Sequence, residues 1–375
     1  GLPFAMLTNG LNWLLIELPR LFTSFDAASF RVPIFPGYGK TIYLVYFLPI
    51  IAAAAIMYRW QPFALKPPPR GATWSFAAVS IFCLSLGSLI VLHPFSQPRP
   101  DGYLKVEFLD VGQGDSAFVT FPNGGTMLID GGGRVNFGSD DVDVPVFEPD
   151  VPRIGEMVVS EFLWEKGYSH VDRLVVSHAD ADHSQGLGDV VRNFSVGEIW
   201  IGSEAGEKSE MAELIAGAQR FSVQVIRVGR GASFEIGGVT IEVLWPDKTA
   251  SQTGSNNNSS LVIRMTFGEA SFLFTGDIER EAEEALASNA ANLDADVIKV
   301  PHHGSRTSST KPFIDAISAE IAIIPVGKRS LYGHPHKEVV ERWKQAGVEV
   351  RSTGEKGTVT VTTNGKGLDI RTHKD

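Results

Sequence analysis

Two stretches of the chain carry no charged residue: 42–58 (IYLVYFLPIIAAAAIMY) and 74–92 (WSFAAVSIFCLSLGSLIVL). Each is apolar on every side, whereas a helix packed in a soluble core keeps a polar stripe, and each approaches the roughly 20 residues that span a bilayer. Two transmembrane α-helices are therefore predicted. Pro49 in the first is compatible with this, because proline is commoner in membrane helices than in soluble ones. The loop between the spans holds Arg59, Lys66 and Arg70 and no acid, which predicts a cytoplasmic loop and places the chain after residue 92 on the outer side. Upstream, Trp13, Leu14, Leu18 and Leu21 oppose Glu17 and Arg20, an amphipathic pattern suited to a membrane interface or to the flank of other helices. A first residue of Gly with no signal-peptide pattern is what a fragment of a larger polytopic membrane protein would show.

From Tyr103 the pattern changes. Residues 103–111 (YLKVEFLDV) alternate apolar and polar, a Gly-Gln-Gly-Asp turn follows, and 117–121 and 126–129 are short apolar runs; these read as three strands, the last ending on Asp130 and three glycines. Residues 136–156 are acidic and aperiodic, which predicts a surface insertion. Helical spacing over 157–166 precedes a buried strand at 171–176 that feeds into Ser177-His178-Ala179-Asp180-Ala181-Asp182-His183. Further strands are predicted at 198–201, 223–228, 240–244, 260–267, 271–275, 297–300, 321–325, 348–351 and 357–362, and helices at 188–194, 209–220, 279–288, 311–316 and 339–346. Strand pairs alternating with helices predict an α/β domain with two sheets inside and helices outside, an αββα sandwich. The chain thus divides into a membrane segment, 1–100, and a soluble domain, 101–375.

Charge and cysteine narrow the chemistry. With 33 basic and 43 acidic residues the net charge is −10, so a polyanion would have to be held by local cations or by metal. The one cysteine, Cys83, lies in the second span, which excludes a disulfide within the chain and a thiolate metal cluster.

Candidate chemistry gathers in loops that end strands. His178, Asp180, Asp182 and His183 fall within six residues, and such groups repel or desolvate one another unless a cation holds them. Asp277 follows the run Phe272-Leu273-Phe274-Thr275-Gly276, His302 and His303 follow the 297–300 strand, and His334 and His336 sit in a Gly-His-Pro-His loop. These loops hold six of the nine histidines, leaving His93, His170 and His373 to structural or solvated positions.

The order of the loops resembles the metallo-β-lactamase superfamily, and within it the C-terminal hydrolase domain of the ComEC/Rec2 competence proteins. The superfamily signature H-x-H-x-D-H is matched by His178-x-Asp180-x-Asp182-His183, with Asp in place of the second His. The segments Val111-Gly-Gln-Gly-Asp115-Ser116, Leu128-Ile-Asp130-Gly-Gly, Thr275-Gly-Asp277, Pro301-His-His-Gly-Ser305 and Tyr332-Gly-His-Pro-His336 resemble the same family. Where many superfamily members carry a further metal-binding His, this chain has Asn256-Asn257-Asn258.

The resemblance implies a hydrolase with one or two divalent metal ions. The oxygen-rich ligand set shifts preference toward Mn²⁺ without excluding Zn²⁺. It implies Asp277 as a bridging ligand, His178 and Asp180 on one side, Asp182 and His183 on the other, and His302 or His303, with His303 preferred, completing the set. Asp130, Asp115 and Asn256 would support these ligands from outside, and His334 would give a proton to the leaving group or grip the phosphate. Ser305, Arg306, Lys328, Arg329 and His336 are candidates for contacts to flanking phosphates. The implied activity is that of a nuclease in a multi-pass protein of the bacterial inner membrane. It would degrade the DNA strand that is not imported during natural transformation, with its hydrolase domain on the outer side and other competence-machinery proteins as partners. A phosphodiesterase acting on a small or wall-linked substrate, and a metal-stabilised DNA-binding or gating module without turnover, are the alternatives.

Overall fold

The computed structural model describes residues 2–23, 31–61, 67, 70–93, 96–133, 153–202, 209–247, 255–288, 292–330 and 332–374. The predicted acidic insertion, up to residue 152, and Lys66 lie outside the described residues. Two compact units emerge, Gly1–Ser96 and Gln97–Asp375.

The first unit is helical. Helix α1 (Leu2–Thr23) contains Pro19, and α2 (Thr41–Val45) leads through Tyr46 into α3 (Phe47–Trp60), which ends on left-handed Gln61. Helix α4 (Ala72–Leu92) packs beside α3, with Trp60 and Phe76 edge to face at 6.3 Å and Gly87 facing the Tyr46 ring. The segments Gly37–Trp60 and Ala72–Leu92 are long and apolar enough to cross a membrane, with mean hydropathies of 2.0 and 2.3. Only 6% and 0% of their apolar windows are buried, so these helices are not wrapped as a soluble core would wrap them.

The second unit is built on two sheets. The first has eight strands in the order β15 (Leu368–Thr372), β14 (Val359–Thr363), β1 (Leu104–Phe108), β2 (Ala117–Thr120), β3 (Thr126–Ile129), β4 (His170–Val176), β5 (Ser195–Gly202) and β6 (Gln224–Val228). The second has seven: β13 (Glu349–Ser352), β12 (Ile321–Ile324), β11 (Val297–Lys299), β10 (Ala270–Phe274), β9 (Val262–Phe267), β8 (Val239–Trp245) and β7 (Ser233–Ile236). Alternation along the strands sorts side chains into layers. Met127, Ile129 and Val175 point inward to meet Phe272, Phe274 and Val297 in one core between the sheets. Leu128, Leu174 and Val176 point outward onto helices α6 (Ala181–Asn193) and α7 (Ser209–Arg220). Leu273, Ile298 and Ile324 point outward onto α8 (Arg280–Ser288), α9 (Lys311–Ile317) and α10 (Lys337–Gln345). The result is the predicted αββα sandwich.

Three departures from the sequence reading have physical causes. Strands β7 and β15, not predicted, are half-exposed members of hairpins with β8 and β14, too short and too polar to show a run of apolar residues. Residues 155–160 form a π-helical turn before α5 (Glu161–Glu165) rather than one uniform helix. Helix α6 begins at Ala181, not at residue 188, so Asp182 and His183 belong to its first turn and not to a loop. Asp180 has the extended backbone of an N-cap and Asp182 places an anion at the positive end of the helix, both favourable at a helix start. Gly186, a weak helix former in this position, is needed for contact, since a Cβ would collide with the Gly131 carbonyl.

Candidate metal centre

Chemistry collects where β3, β4, β10 and β11 end. The turn after β1, the glycines after β3 and the start of α6 are tied by backbone bonds from Asp115 N to Asp182 O (3.2 Å), Gly131 N to His183 O (2.8 Å) and Gly132 N to Asp115 O (2.7 Å). Gly114, at φ +116°, lies against the Asp182 backbone where a side chain would not fit. Asp130 itself is left-handed, at φ 58°. Its carboxylate reaches from β3 to β4, accepting from Ser177 N (2.8 Å) and Ser177 Oγ (2.7 Å) and standing 2.9 Å from His183 Nδ1.

These bonds decide which ring nitrogens are free. His183 donates Nδ1–H to Asp130. Ser177 spends its only proton on Asp130, so its Oγ must accept from His178 Nδ1, 3.0 Å away. His303 donates Nδ1–H to the carbonyl of Pro325 at 2.9 Å. All three buried imidazoles are therefore held with Nδ1 protonated, and the Nε2 atoms of His178, His183 and His303 are buried without a hydrogen-bond partner. Asp277 Oδ2 lies 3.3 Å from His183 Nε2 and 3.2 Å from His303 Nε2; Asp182 Oδ2 lies 3.4 Å from His303 Nε2, and Asp180 Oδ2 lies 3.9 Å from His178 Nε2. Imidazoles anchored through one nitrogen and offering the other beside carboxylates form a donor set that fits a divalent cation.

The electrostatics agree. Burial would push His183 and His303 down, yet Asp277 and Asp115 hold both well above the ordinary imidazole value. Burial opposes ionisation of Asp277 and Asp182, but His183 and His303 hold both carboxyls below their usual range. His178, buried and beside His183, is pushed down to about 4. Since the Nδ1 protons are fixed, the proton that the carboxylates draw in belongs on Nε2, where a cation would displace it.

Asp115, His183, Asp277 and His303 are all buried, with donor atoms within 4.8 Å of one another. Asp115 differs from the other three in what it touches: one oxygen contacts the Lys299 ammonium and the other stands 3.1 Å from the anchored Nδ1 of His303. It sits behind the rings, on the side away from their free nitrogens.

A family model described as the metallo-beta-lactamase superfamily matches residues 109–328, the span that carries every group just described. The chain belongs to the metallo-β-lactamase superfamily. It is similar to ComE operon protein 3 of Bacillus subtilis, 33% identical over 74% of this chain and 35% of that protein. It is also similar to Competence protein ComA of Neisseria gonorrhoeae, 31% identical over 52% of this chain and 25% of that protein. Recombination protein 2 of Haemophilus influenzae is 27% identical over 68% of this chain and 28% of that protein. The chain thus spans about a quarter to a third of the length of these curated relatives.

The remaining candidates of this metallo-β-lactamase domain lie farther out. Residues 302 and 303 are both left-handed, at φ 50°, and precede Gly304 at φ 80°; the turn sends His303 inward, while His302 lies 3.4 Å from Glu279. His334 lies between His302 (5.7 Å between ring centroids) and His336 (5.0 Å), stacked at 5.8 Å on the half-exposed ring of Tyr332. Burial and the neighbouring imidazoles push His334 down to about 4. The Nδ1 atoms of His334 and His336 have no hydrogen-bond partner. Asn256 donates to Asp180 at 3.3 Å and so touches a candidate ligand from outside. Ser305 bonds Thr307, Arg306 pairs with Glu338 on the surface, and Lys328 and Arg329 are exposed.

Three residues with evident roles carry no assignment in the sequence reading: Ser177, Glu279 and Lys299. The first two have no distinguishing signal, being a serine and a glutamate beside stronger motifs. Lys299 has one, since it closes a strand of otherwise apolar residues (Val297-Ile298-Lys299-Val300) and is 4% exposed.

Proposed function

We propose that this domain hydrolyses phosphodiester bonds in DNA with the help of one or two divalent ions, Mn²⁺ or Zn²⁺, as the nuclease part of a membrane-bound DNA-uptake protein. The observation that carries the reading is the trio of anchored imidazoles: the free Nε2 atoms of His183 and His303 converge on Asp277 and Asp182, and that of His178 faces Asp180. The names of the competence and recombination relatives supply the substrate class and the setting.

His178, Asp180, Asp182, His183, Asp277 and His303 would hold the ions, with Asp115, Asp130, Ser177 and Asn256 orienting them. A divalent cation bound there would acidify water and neutralise charge developing on a phosphoryl oxygen. His334 is largely neutral at physiological pH, which suits gripping a phosphate oxygen through a ring N–H better than delivering a proton. His302 and His336 flank it; exposed Lys328 and Arg329 would meet flanking phosphates, as would Arg306 on release from Glu338, whereas Ser305 is buried and bonded to Thr307. The basic residues Arg59, in the last turn of α3, and Lys66 and Arg70 after it support a multi-pass protein of the bacterial inner membrane with the hydrolase domain, from about residue 101, on the outer side. There it would degrade the strand that is not imported and meet other proteins of the competence machinery.

The full chain, purified in detergent and loaded with Mn²⁺ or Zn²⁺, is expected to cleave single-stranded or duplex DNA, and Asp182→Ala is expected to abolish cleavage. A chain that binds the ions and leaves both forms of DNA intact overturns the nuclease reading; cleavage of a small phosphodiester in that case redirects it to a small substrate.

A further inference from the structure

Lys299 is the one cation of the second sheet whose charge is buried against the centre among the described residues, and its ammonium is fully used. Its three protons meet three acceptors: the Gly276 carbonyl at 2.6 Å, Asp277 Oδ1 at 3.0 Å, and Asp115 Oδ2. Because Oδ1 of Asp277 is taken, Oδ2 is the oxygen left to face the free nitrogens of His183 and His303. Asp115, held by Lys299 on one side, stands with its other oxygen against His303 Nδ1. One ammonium thus sets the direction of a carboxylate in front of the imidazoles and of a carboxylate behind them. It is also a fixed positive charge in direct contact with both Asp115 and Asp277.

We propose that Lys299 is a positioning residue of the metal centre, a built-in cation that aims Asp277 Oδ2 at the ligand nitrogens and neutralises part of the carboxylate cluster whether or not an ion is bound. The inference rests on the metal-binding reading of the same site. Its consequence is a substitution effect that depends on the ion. Without metal, loss of the ammonium leaves Asp277 Oδ1 and Asp115 Oδ2 buried with no ammonium against them; with metal, the ion bound beside Oδ2 would hold Asp277 in place instead.

The test is thermal unfolding of the full chain in detergent, followed through the tryptophans, for the wild type, Lys299→Met and Lys299→Arg, each in chelator and in saturating Mn²⁺. Methionine keeps most of the stem and removes the charge, whereas arginine keeps the charge. In chelator, Lys299→Met is expected to melt on the order of 10 °C below the wild type; Mn²⁺ is expected to restore at least half of that difference, and Lys299→Arg is expected to lie between the other two. An equal deficit with and without Mn²⁺, or a Lys299→Met chain that fails to fold even with Mn²⁺, overturns the proposal in favour of a packing role. A wild-type chain whose melting is unmoved by Mn²⁺ and by Zn²⁺ removes the metal reading itself, and this inference with it.

Discussion

In the first sheet β3 and β4 run parallel, and Asp172 near the start of β4 accepts from Thr126 N and Oγ1, both at 2.8 Å, while its own N donates back to Thr126 Oγ1 at 2.9 Å. In the second sheet β10 and β11 run parallel, and Asp296 before β11 accepts from Ser271 N (2.7 Å) and Oγ (2.8 Å) while its N donates back to Ser271 Oγ at 3.1 Å. The same latch aligns both strand pairs, and each pair ends in a carboxylate and histidines. The outcomes differ. Asp130 follows β3 at once and lies behind His183, against Nδ1; Asp277 follows β10 after Thr275 and Gly276 and lies in front, against Nε2. Two residues of loop separate a carboxylate that orients a ligand from one that faces the ion position.

If that contrast is right, Asp277→Asn should have the largest effect, lowering metal-dependent hydrolysis by about a thousandfold or more, as expected for loss of several kcal/mol of transition-state stabilisation. Asp130→Asn should instead weaken metal affinity by about 10- to 100-fold, the usual cost of losing an outer carboxylate. Titration calorimetry with Mn²⁺, run beside turnover measurements, distinguishes the two; equal losses of affinity at both positions would erase the distinction between front and back.

A second probe is pH. His183 and His303 are held above their ordinary value, so in the ion-free chain they add stability that is complete below about pH 6.5 and is lost as pH rises through their folded values. Asp182 and Asp277 are held below theirs, so their contribution is complete above about pH 4 and is lost on acidification. His178 and His334, pushed down to about 4, act the other way, their contribution being complete above about pH 6.5 and lost as pH falls toward 4; ion-free stability is therefore expected to be greatest near pH 6.5 and to decline on both sides, and saturating Mn²⁺ is expected to flatten the alkaline decline. Melting curves in chelator that rise steadily from pH 6 to 9 would contradict this.

The smallest effect concerns the shared latch. Asp172→Ala and Asp296→Ala should each destabilise the domain by about 1–3 kcal/mol, from backbone N–H groups left without a partner. Urea unfolding that shows a clearly larger loss at one site would mean that the two strand pairs are not equivalent.

Much of this architecture was legible in the residue pattern. The short apolar runs at 126–129, 271–275 and 321–325 marked strands because inward and outward side chains are both apolar there. The histidine-rich loops declared themselves through density. The start of α6 did not, because Gly186 and Gly188 lower the helix propensity of its first turns; Gly186 is there for the close approach of Gly131. The paired latches were hidden as well, since Thr126 with Asp172 and Ser271 with Asp296 are separated by different lengths of chain and have no common motif. A lysine at a strand end usually reaches solvent; only the positions of Asp115 and Asp277 show why Lys299 does not.

The left-handed turn at His302 and His303 has one more consequence. Adjacent residues in an ordinary strand end would point to opposite faces of a sheet, but here the coiled backbone puts one ring in the interior and its neighbour at the rim. Residue 302 can therefore be exchanged at the rim without turning the inward ring of residue 303. The backbone restricts the vocabulary for such revision, since glycine, asparagine and aspartate tolerate this conformation far better than branched residues.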